Sequence, residues 1–173
     1  VLPYTIGDYL ADDIRTGKID TNLPEFEKAE ATVKAQLERF INTKGKNTVD
    51  YYHRKLGKIM WDKCGMSRNE TELKEAMAEI KALREEFWRD VNVPGTAHEL
   101  NQELEKAMRV ADFLELGELF AKDALERNES CGGHFNEAYQ TEAHEARRDD
   151  ENFCYVAAWE FTGKEKEPQV HKE

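Results

Sequence analysis

The chain has 173 residues and a formal net charge of −11, with 35% charged and 39% hydrophobic side chains. This length predicts one domain, of which about 120 residues can bury a core without metal or disulfide support. Acidic residues interleave with the lysines and arginines, which argues against nucleic acid and anionic lipid as partners. No apolar run approaches the ~20 residues needed to cross a bilayer, so direct membrane insertion is not expected. Three widely spaced cysteines favour a reducing compartment.

Two helices are predicted in the first quarter of the chain. The first runs from Pro3 to Arg15, and Thr16-Gly17 follow it. Its apolar face carries Ile6, Leu10 and Ile14. The second begins at Pro24, whose missing N–H costs nothing in a first turn, and stops near Lys44. Its apolar positions are Phe26, Val33, Leu37, Phe40 and Ile41.

A third helix is predicted to follow a cap at Asn47 or Thr48 and to end at Cys64-Gly65. Its inward positions are Val49, Tyr52, Leu56, Ile59 and Met60. Gly57 lies inside it, at a cost of about 1 kcal/mol relative to alanine. We therefore expect Gly57 to permit a close approach of a neighbouring helix.

The strongest pattern is a helical hairpin from about Asn69 to Arg127. Apolar residues recur every three or four positions in both arms. The first arm carries Leu73, Met77, Ile80, Leu83, Phe87, Trp88 and Val91, and the second carries Leu100, Leu104, Ala107, Val110, Ala111, Phe113, Leu114, Phe120, Ala121 and Leu125. Asn69 with Glu72 and Thr96 with Glu99 are predicted to start the two arms. Pro94-Gly95 between them predicts a turn and an antiparallel pair.

The remainder of the chain has a different character. Gly132-Gly133 disfavours a helix, whereas Phe153 to Phe161 alternates, is aromatic and predicts a strand. A lone strand is not stable, so this one is expected to pair with residues 133–135 or with a sheet of another domain. Gly163 to Glu173 is charged and is expected to be loose.

Sites for catalysis, nucleotides or metals are weakly supported by these residues. The ten glycines are scattered and form no phosphate-binding loop. Cys131-x-x-His134, with His144 and Cys154, could be written as a zinc set, but a buried thiol and a hydrogen-bonded histidine explain the pattern better. Glutamates of the last helix suggest a di-iron bundle, but the required Glu-x-x-His motifs are missing and a solvated face is favoured.

Two tail motifs carry a family resemblance. Residues 127–135 read Arg-Asn-Glu-Ser-Cys-Gly-Gly-His-Phe, and residues 148–153 read Arg-Asp-Asp-Glu-Asn-Phe. This pair resembles the end of the flavoprotein subunit of succinate dehydrogenase and fumarate reductase, which shows Glu-Ser-Arg-Gly-Ala-His and later Arg-Asp-Asp-Glu-Asn. The similarity extends from about Leu10 to Phe161. Cys131 replaces an arginine of many members, and Asn136 replaces an arginine that often follows the aromatic residue.

The resemblance implies an all-α fold: an antiparallel three-helix, spectrin-repeat-like bundle. An extra helical segment precedes the bundle, and an irregular tail with a short strand follows it. The expected divisions are residues 1–23, as the end of a flavin-binding part, 24–127 as the bundle and 128–173 as the tail. The chain starts without methionine, and the expectation is that it is the C-terminal portion of a larger flavoprotein.

The resemblance also implies the activity of that parent. The family interconverts succinate and fumarate at FAD and passes electrons to an iron–sulfur subunit, which a membrane anchor subunit holds at the cytoplasmic side of the inner membrane. The catalytic and flavin-binding residues lie upstream, so this chain is expected to contribute none, to bind neither FAD nor metal, and to be inactive alone. The expected contacts with the flavin-binding part or another subunit are His134, Arg148, Asp149, Asp150, Glu151 and Asn152.

Two alternatives remain open. The chain could be a self-contained helical interaction module whose tail binds a partner. It could also end an L-aspartate oxidase, whose tail is similar, although the Arg-Asp-Asp-Glu-Asn segment followed by a strand favours the succinate/fumarate branch.

Overall fold

The computed structural model describes residues 6–12, 20–163 and 166–173. Their helices are α1 (residues 6–12), α2 (Pro24–Thr43), α3 (Val49–Cys64), α4 (Glu70–Asp90), α5 (Gln102–Glu126) and α6 (Asp150–Phe153). The strands are β1 (Asn47–Thr48), β2 (Val91–Asn92), β3 (Ala157–Glu160) and β4 (Gln169–Lys172). Helix α1 confirms the centre of the first predicted helix, whereas Pro3, Ile14 and Thr16-Gly17 lie outside the described residues. Within those residues, no helix combines the length and the apolar character that crossing a membrane requires.

Helices α3, α4 and α5 form the predicted three-helix bundle. Most side chains at the predicted three- and four-residue spacing are buried in this bundle. The fully buried members include Tyr52, Leu73, Ile80, Phe87 and Leu114. Phe113 and Phe120 of α5 were predicted on the same apolar face, but they are 40% and 46% exposed. Gly117 of α5 faces α3, where a Cβ would lie 3.4 Å from both Leu56 and Met60. Gly57 is instead exposed and has open space around it, so the expectation of a close approach there is wrong.

Helix α2 packs on the bundle only through its C-terminal end. Phe40 is fully buried and stacks on Trp88 with ring centroids 5.0 Å apart. Leu37 and Ile41 are partly buried against the same cluster. Phe26 and Val33 were predicted on this inward face, but they are 49% and 47% exposed because the first half of α2 extends past the bundle.

The two predicted caps of the hairpin have different outcomes. The Asn69 Oδ1 atom accepts a hydrogen bond from the Glu72 N–H at 2.9 Å, which confirms the start of α4. The second arm starts at Gln102, not after Thr96. Asn101 caps it by accepting from the Leu104 N–H at 3.0 Å, and its amide donates back to the Pro94 carbonyl at 2.8 Å. Leu100, predicted to be inward, precedes the helix and is 94% exposed.

A network around Asp90 joins the end of α4 to the start of α3. The Asp90 carboxylate accepts from the Lys46 N–H at 3.0 Å, the Asn47 side chain at 2.6 Å and the Tyr52 hydroxyl at 3.3 Å. The Lys46 N–H is the main reason that the pKa of Asp90 lies below its usual value. Gly45 donates its N–H to the Val91 carbonyl at 3.1 Å beside the parallel pair β1–β2. A Cβ at Gly45 would overlap the Asp90 carbonyl oxygen, so only glycine fits there.

The strand in the tail is shorter than predicted and has another partner. Phe153 belongs to α6, and β3 pairs antiparallel with β4, with Ala157 opposite Lys172 and Glu160 opposite Gln169. The expected pairing with residues 133–135 or an external sheet is therefore wrong, and part of the segment expected to be loose is a strand. The Trp159 indole N–H donates to Asp123 of α5 at 2.8 Å, which fixes this small sheet on the bundle.

Replacing Gly45 with alanine should lower the free energy of unfolding by about 3 kcal/mol, because the added methyl group forces Asp90 and β1 apart. The control Gly57→Ala should raise it by up to about 1 kcal/mol, since alanine is the better helix former at an open position. Urea unfolding followed by circular dichroism measures both. Equal stability of the Gly45→Ala protein and the unmodified chain would contradict the required close approach.

Candidate docking site in the C-terminal tail

His134 lies between the tail and the bundle, and both of its ring nitrogens are engaged. Its Nδ1 atom is 2.9 Å from Nη1 of Arg68, and its Nε2 atom is 2.9 Å from the carbonyl oxygen of Arg127. A guanidinium can only donate and a carbonyl can only accept. The ring must therefore be neutral, with its proton on Nε2. His134 is half-buried and directed inward, so its role in the fold is to connect the tail to the bundle.

Arg68 is the bundle side of this connection and is 8% exposed. Its side chain also donates from Nε to the Cys64 carbonyl at 3.2 Å, and its guanidinium carbon lies 4.9 Å from the centre of the Phe120 ring. Its backbone N–H donates to the Phe135 carbonyl at 3.0 Å, and its own carbonyl accepts from the Glu137 N–H at 2.9 Å. Arg68, in the turn between α3 and α4, therefore satisfies backbone groups of the tail with both its own N–H and its own carbonyl.

Glu129 connects the inner and outer parts of the tail. It is 2% exposed, and each carboxylate oxygen has a partner. Oε1 pairs with Nη1 of Arg127 at 2.8 Å, and Oε2 accepts from the Asp149 N–H at 2.9 Å. Arg127 also donates to the carbonyls of Phe153 and Tyr155 at 3.4 and 3.3 Å. The two tail motifs are thus joined through the buried Glu129 and its partly exposed partner Arg127.

A second buried pair closes the loop that contains His134. The Asn136 N–H donates to the Ser130 Oγ atom at 2.8 Å, and this hydroxyl donates to the Asn136 carbonyl at 3.1 Å. The Ser130 N–H donates to the Arg147 carbonyl at 2.9 Å. Ser130 and Asn136 are both buried, so the loop has few alternative conformations.

Residues 148–152 form the outer part of the tail. Arg148 donates from Nε and Nη2 to one oxygen of Asp150, at 2.9 and 2.7 Å, and both side chains are exposed. Asp149 caps α6 by accepting from the Asn152 N–H at 3.3 Å. Glu151 and Asn152 are exposed. The structure therefore separates the candidate contact residues. Arg148, Asp150, Glu151 and Asn152 are exposed, Asp149 is partly buried, and His134 faces the bundle.

The residues considered for zinc have other roles in this arrangement. Cys131 and His134 exchange two backbone hydrogen bonds of 2.9 and 3.0 Å across a turn. His144 lies in an exposed turn with a φ of 60°, and Cys154 is exposed. Among residues 6–12, 20–163 and 166–173, no cluster of three or more His, Cys, Asp or Glu side chains could hold a metal ion.

Several residues of the site were not predicted individually. Glu129 and Ser130 lie inside the first tail motif, and their burial gives that motif a physical meaning. Arg68 carries no signal in the sequence, since its partner His134 is 66 positions away.

A bundle of three helices followed by this polar tail matches the C-terminal region of fumarate reductase flavoproteins. The family model described as "Fumarate reductase flavoprotein C-term" matches residues 53–173. The chain belongs to this family. It is 29% identical over 159 residues to the fumarate reductase flavoprotein subunit of Helicobacter pylori strain J99, covering 89% of this chain and 21% of that protein. It is 26% identical over 121 residues to the subunit from Haemophilus influenzae, covering 70% and 19%.

Solved structures show the same fold. The chain is similar to the quinol fumarate reductase of Escherichia coli, with a TM-score of 0.74 and 23% identity over 91% of this chain and 26% of that one. It is also similar to Mycobacterium smegmatis Sdh1 in complex with UQ1, with a TM-score of 0.69 and 24% identity over 88% and 25%. The chain spans about a fifth of the length of the Helicobacter pylori relative.

Replacing Glu129 with glutamine should lower the free energy of unfolding by about 2 kcal/mol, because the partly buried Arg127 loses its charge partner. The same change at Glu126, which is exposed in the last turn of α5, should alter stability by less than about 0.5 kcal/mol. Urea unfolding followed by tryptophan fluorescence compares the two. Indistinguishable midpoints would mean that the buried pair does not stabilise the tail.

Proposed function

We propose that this chain is the C-terminal domain of the flavoprotein subunit of an FAD-dependent succinate dehydrogenase or fumarate reductase. In this proposal it supports the flavin-binding part of the same protein and supplies no catalytic residue. The parent interconverts succinate and fumarate and passes electrons to an iron–sulfur subunit of a membrane-anchored complex. The observation that carries the proposal is the family match across residues 53–173, which includes both tail motifs.

The described residues do not fit FAD themselves. A dinucleotide site of the usual kind needs a parallel sheet with a glycine-rich turn that leads into a helix. The parallel pair in the described part of the chain is β1–β2, with two residues in each strand. Gly132-Gly133 lies in a turn followed by His134 and Phe135, not in the first turn of a helix. We therefore assign flavin binding to the preceding part of the parent.

The outer tail has the properties of a contact surface. Arg148 and Asp150 are exposed, yet their backbone is fixed from behind by the bond between the Asp149 N–H and the buried Glu129. A backbone that is already fixed before binding loses little conformational entropy when the surface binds. This arrangement supports the assignment of residues 148–152 as contacts with the flavin-binding part or another subunit.

A second contact surface is expected where the chain enters the bundle. Exposed apolar side chains occur on α1, at the residue before α2 and in the first half of α2, namely Ile6, Tyr9, Leu10, Leu23, Phe26 and Val33. The stripe on α2 that buries Phe40 in the core thus continues beyond the core. Apolar residues in such a continuous row mark a surface that another part of the protein covers.

Replacing Arg148 with alanine in the full flavoprotein should reduce the yield of assembled complex several-fold, since a preorganised charged contact is lost. Arg109→Ala is the matched control, because Arg109 is equally exposed and forms a similar ion pair with Glu105 at 2.6 Å on α5. Assembly is measured by co-purification with the iron–sulfur subunit. Equal yields for the two variants would contradict the assignment of residues 148–152.

Replacing Phe26 with serine in this chain should change the free energy of unfolding by less than about 0.5 kcal/mol, because the side chain is half-exposed. Phe40→Ser should cost at least about 3 kcal/mol, as expected for a buried aromatic residue. In the full flavoprotein, Phe26→Ser should nevertheless reduce FAD retention after gel filtration. Full FAD retention would contradict the second contact surface and favour a self-contained interaction module.

A further inference from the structure

The surroundings of His134 allow only one protonation state of its ring. The Arg68 guanidinium comes from the turn between α3 and α4, and the Arg127 carbonyl comes from the end of α5. Arginine keeps its positive charge throughout the physiological range and offers no acceptor. The lone pair of Nδ1 therefore has to remain free of a proton as long as the tail is docked.

We propose that His134 makes the docking of the tail on the bundle pH-sensitive. The neutral imidazole bridges Arg68 and the Arg127 backbone, whereas the imidazolium releases the tail. A proton taken up from solvent at Nδ1 would place an N–H against the Arg68 N–H across 2.9 Å and bring two positive charges together. Release of residues 131–137 relieves both, because the Arg68 backbone bonds to Phe135 and Glu137 can exchange for water.

The surroundings of the His134 ring favour its neutral form. Burial is the main factor that lowers the pKa of His134 below its usual value, and the charges of Arg68 and Arg127 add to it. The Arg127 carbonyl and the Asp123 carboxylate oppose the shift. Asp123 also accepts from Trp159 at 2.8 Å, so part of its hydrogen-bonding capacity is already used.

The sign of the pH dependence follows from this lowered pKa. A released tail returns His134 to an ordinary pKa of about 6.5, so the released state binds more protons than the docked state just below that pH. Docking therefore has full strength above about pH 6.5 and weakens as the pH falls towards the pKa of the docked state. Between the two pKa values the docking constant should fall by up to about tenfold per pH unit.

Nuclear magnetic resonance of the 173-residue chain tests the proposal in two ways. The ring nitrogen shifts of His134 at pH 7.5 should identify a neutral ring protonated at Nε2. Hydrogen exchange of the Arg68 and Glu137 amides, corrected for the intrinsic effect of pH, should lose protection as the pH falls below 6.5, by up to about tenfold per unit. Both sides of the contact lie within this chain, so the measurement is independent of the proposed enzymatic function.

The variants His134→Gln and His144→Gln separate this contact from other titrating groups. Glutamine stays neutral, so His134→Gln should remove the pH dependence of the corrected protection between pH 7.5 and 5.5. His144→Gln changes an exposed histidine of the same tail and should retain it. A protonated ring or an Nδ1–H tautomer at pH 7.5 would overturn the proposal. So would the same pH profile in the unmodified chain and in the His134→Gln variant.

Discussion

The loop of the tail that contains His134 depends on one buried residue, Arg68, at the turn between α3 and α4. Residues 128–149 lie in no helix or named strand that would satisfy their backbone groups. Arg68 provides a donor and an acceptor for the backbones of Phe135 and Glu137, and its side chain contacts His134. The position of Arg68 is set by the helices on both sides. The conformation of residues 131–137 therefore depends on the folded bundle.

The bundle could be predicted because its determinants are local. The periodic apolar residues of α3 to α5, and the caps at Thr48 and Asn69, lie within a few positions of the structure they determine. The predictions that were wrong concern residues whose role depends on contacts beyond the local sequence pattern. Asn101 caps α5 instead of Thr96, and its side chain also donates to the Pro94 carbonyl, seven residues earlier in the chain. Gly57 and Gly117 look alike in sequence, and only the packing shows that Gly117 faces a neighbouring helix.

The sequence could indicate which residues to consider for the candidate site, but it could not indicate how their side chains are arranged. Both motifs are contiguous in sequence, so Arg148 to Asn152 and His134 could be selected from the family pattern. The inward direction of His134 depends on Arg68, which is distant in the chain and carries no motif. The partner of β3 was missed for a similar reason, since Gln-Val-His-Lys is short and polar and acquires its strand conformation by pairing beside Trp159 and α5.

The bundle and the tail are stabilised by different kinds of contact. An apolar core accepts many sequences as long as volume and pattern are kept. The Glu129 carboxylate has both oxygens committed, to Arg127 and to the Asp149 backbone, and few other side chains could serve both at these distances. Such a network specifies a single arrangement of the tail. Because it is satisfied from within, it leaves Arg148, Asp150 and Glu151 oriented outward on a fixed backbone, as the proposed contact with the rest of a flavoprotein requires.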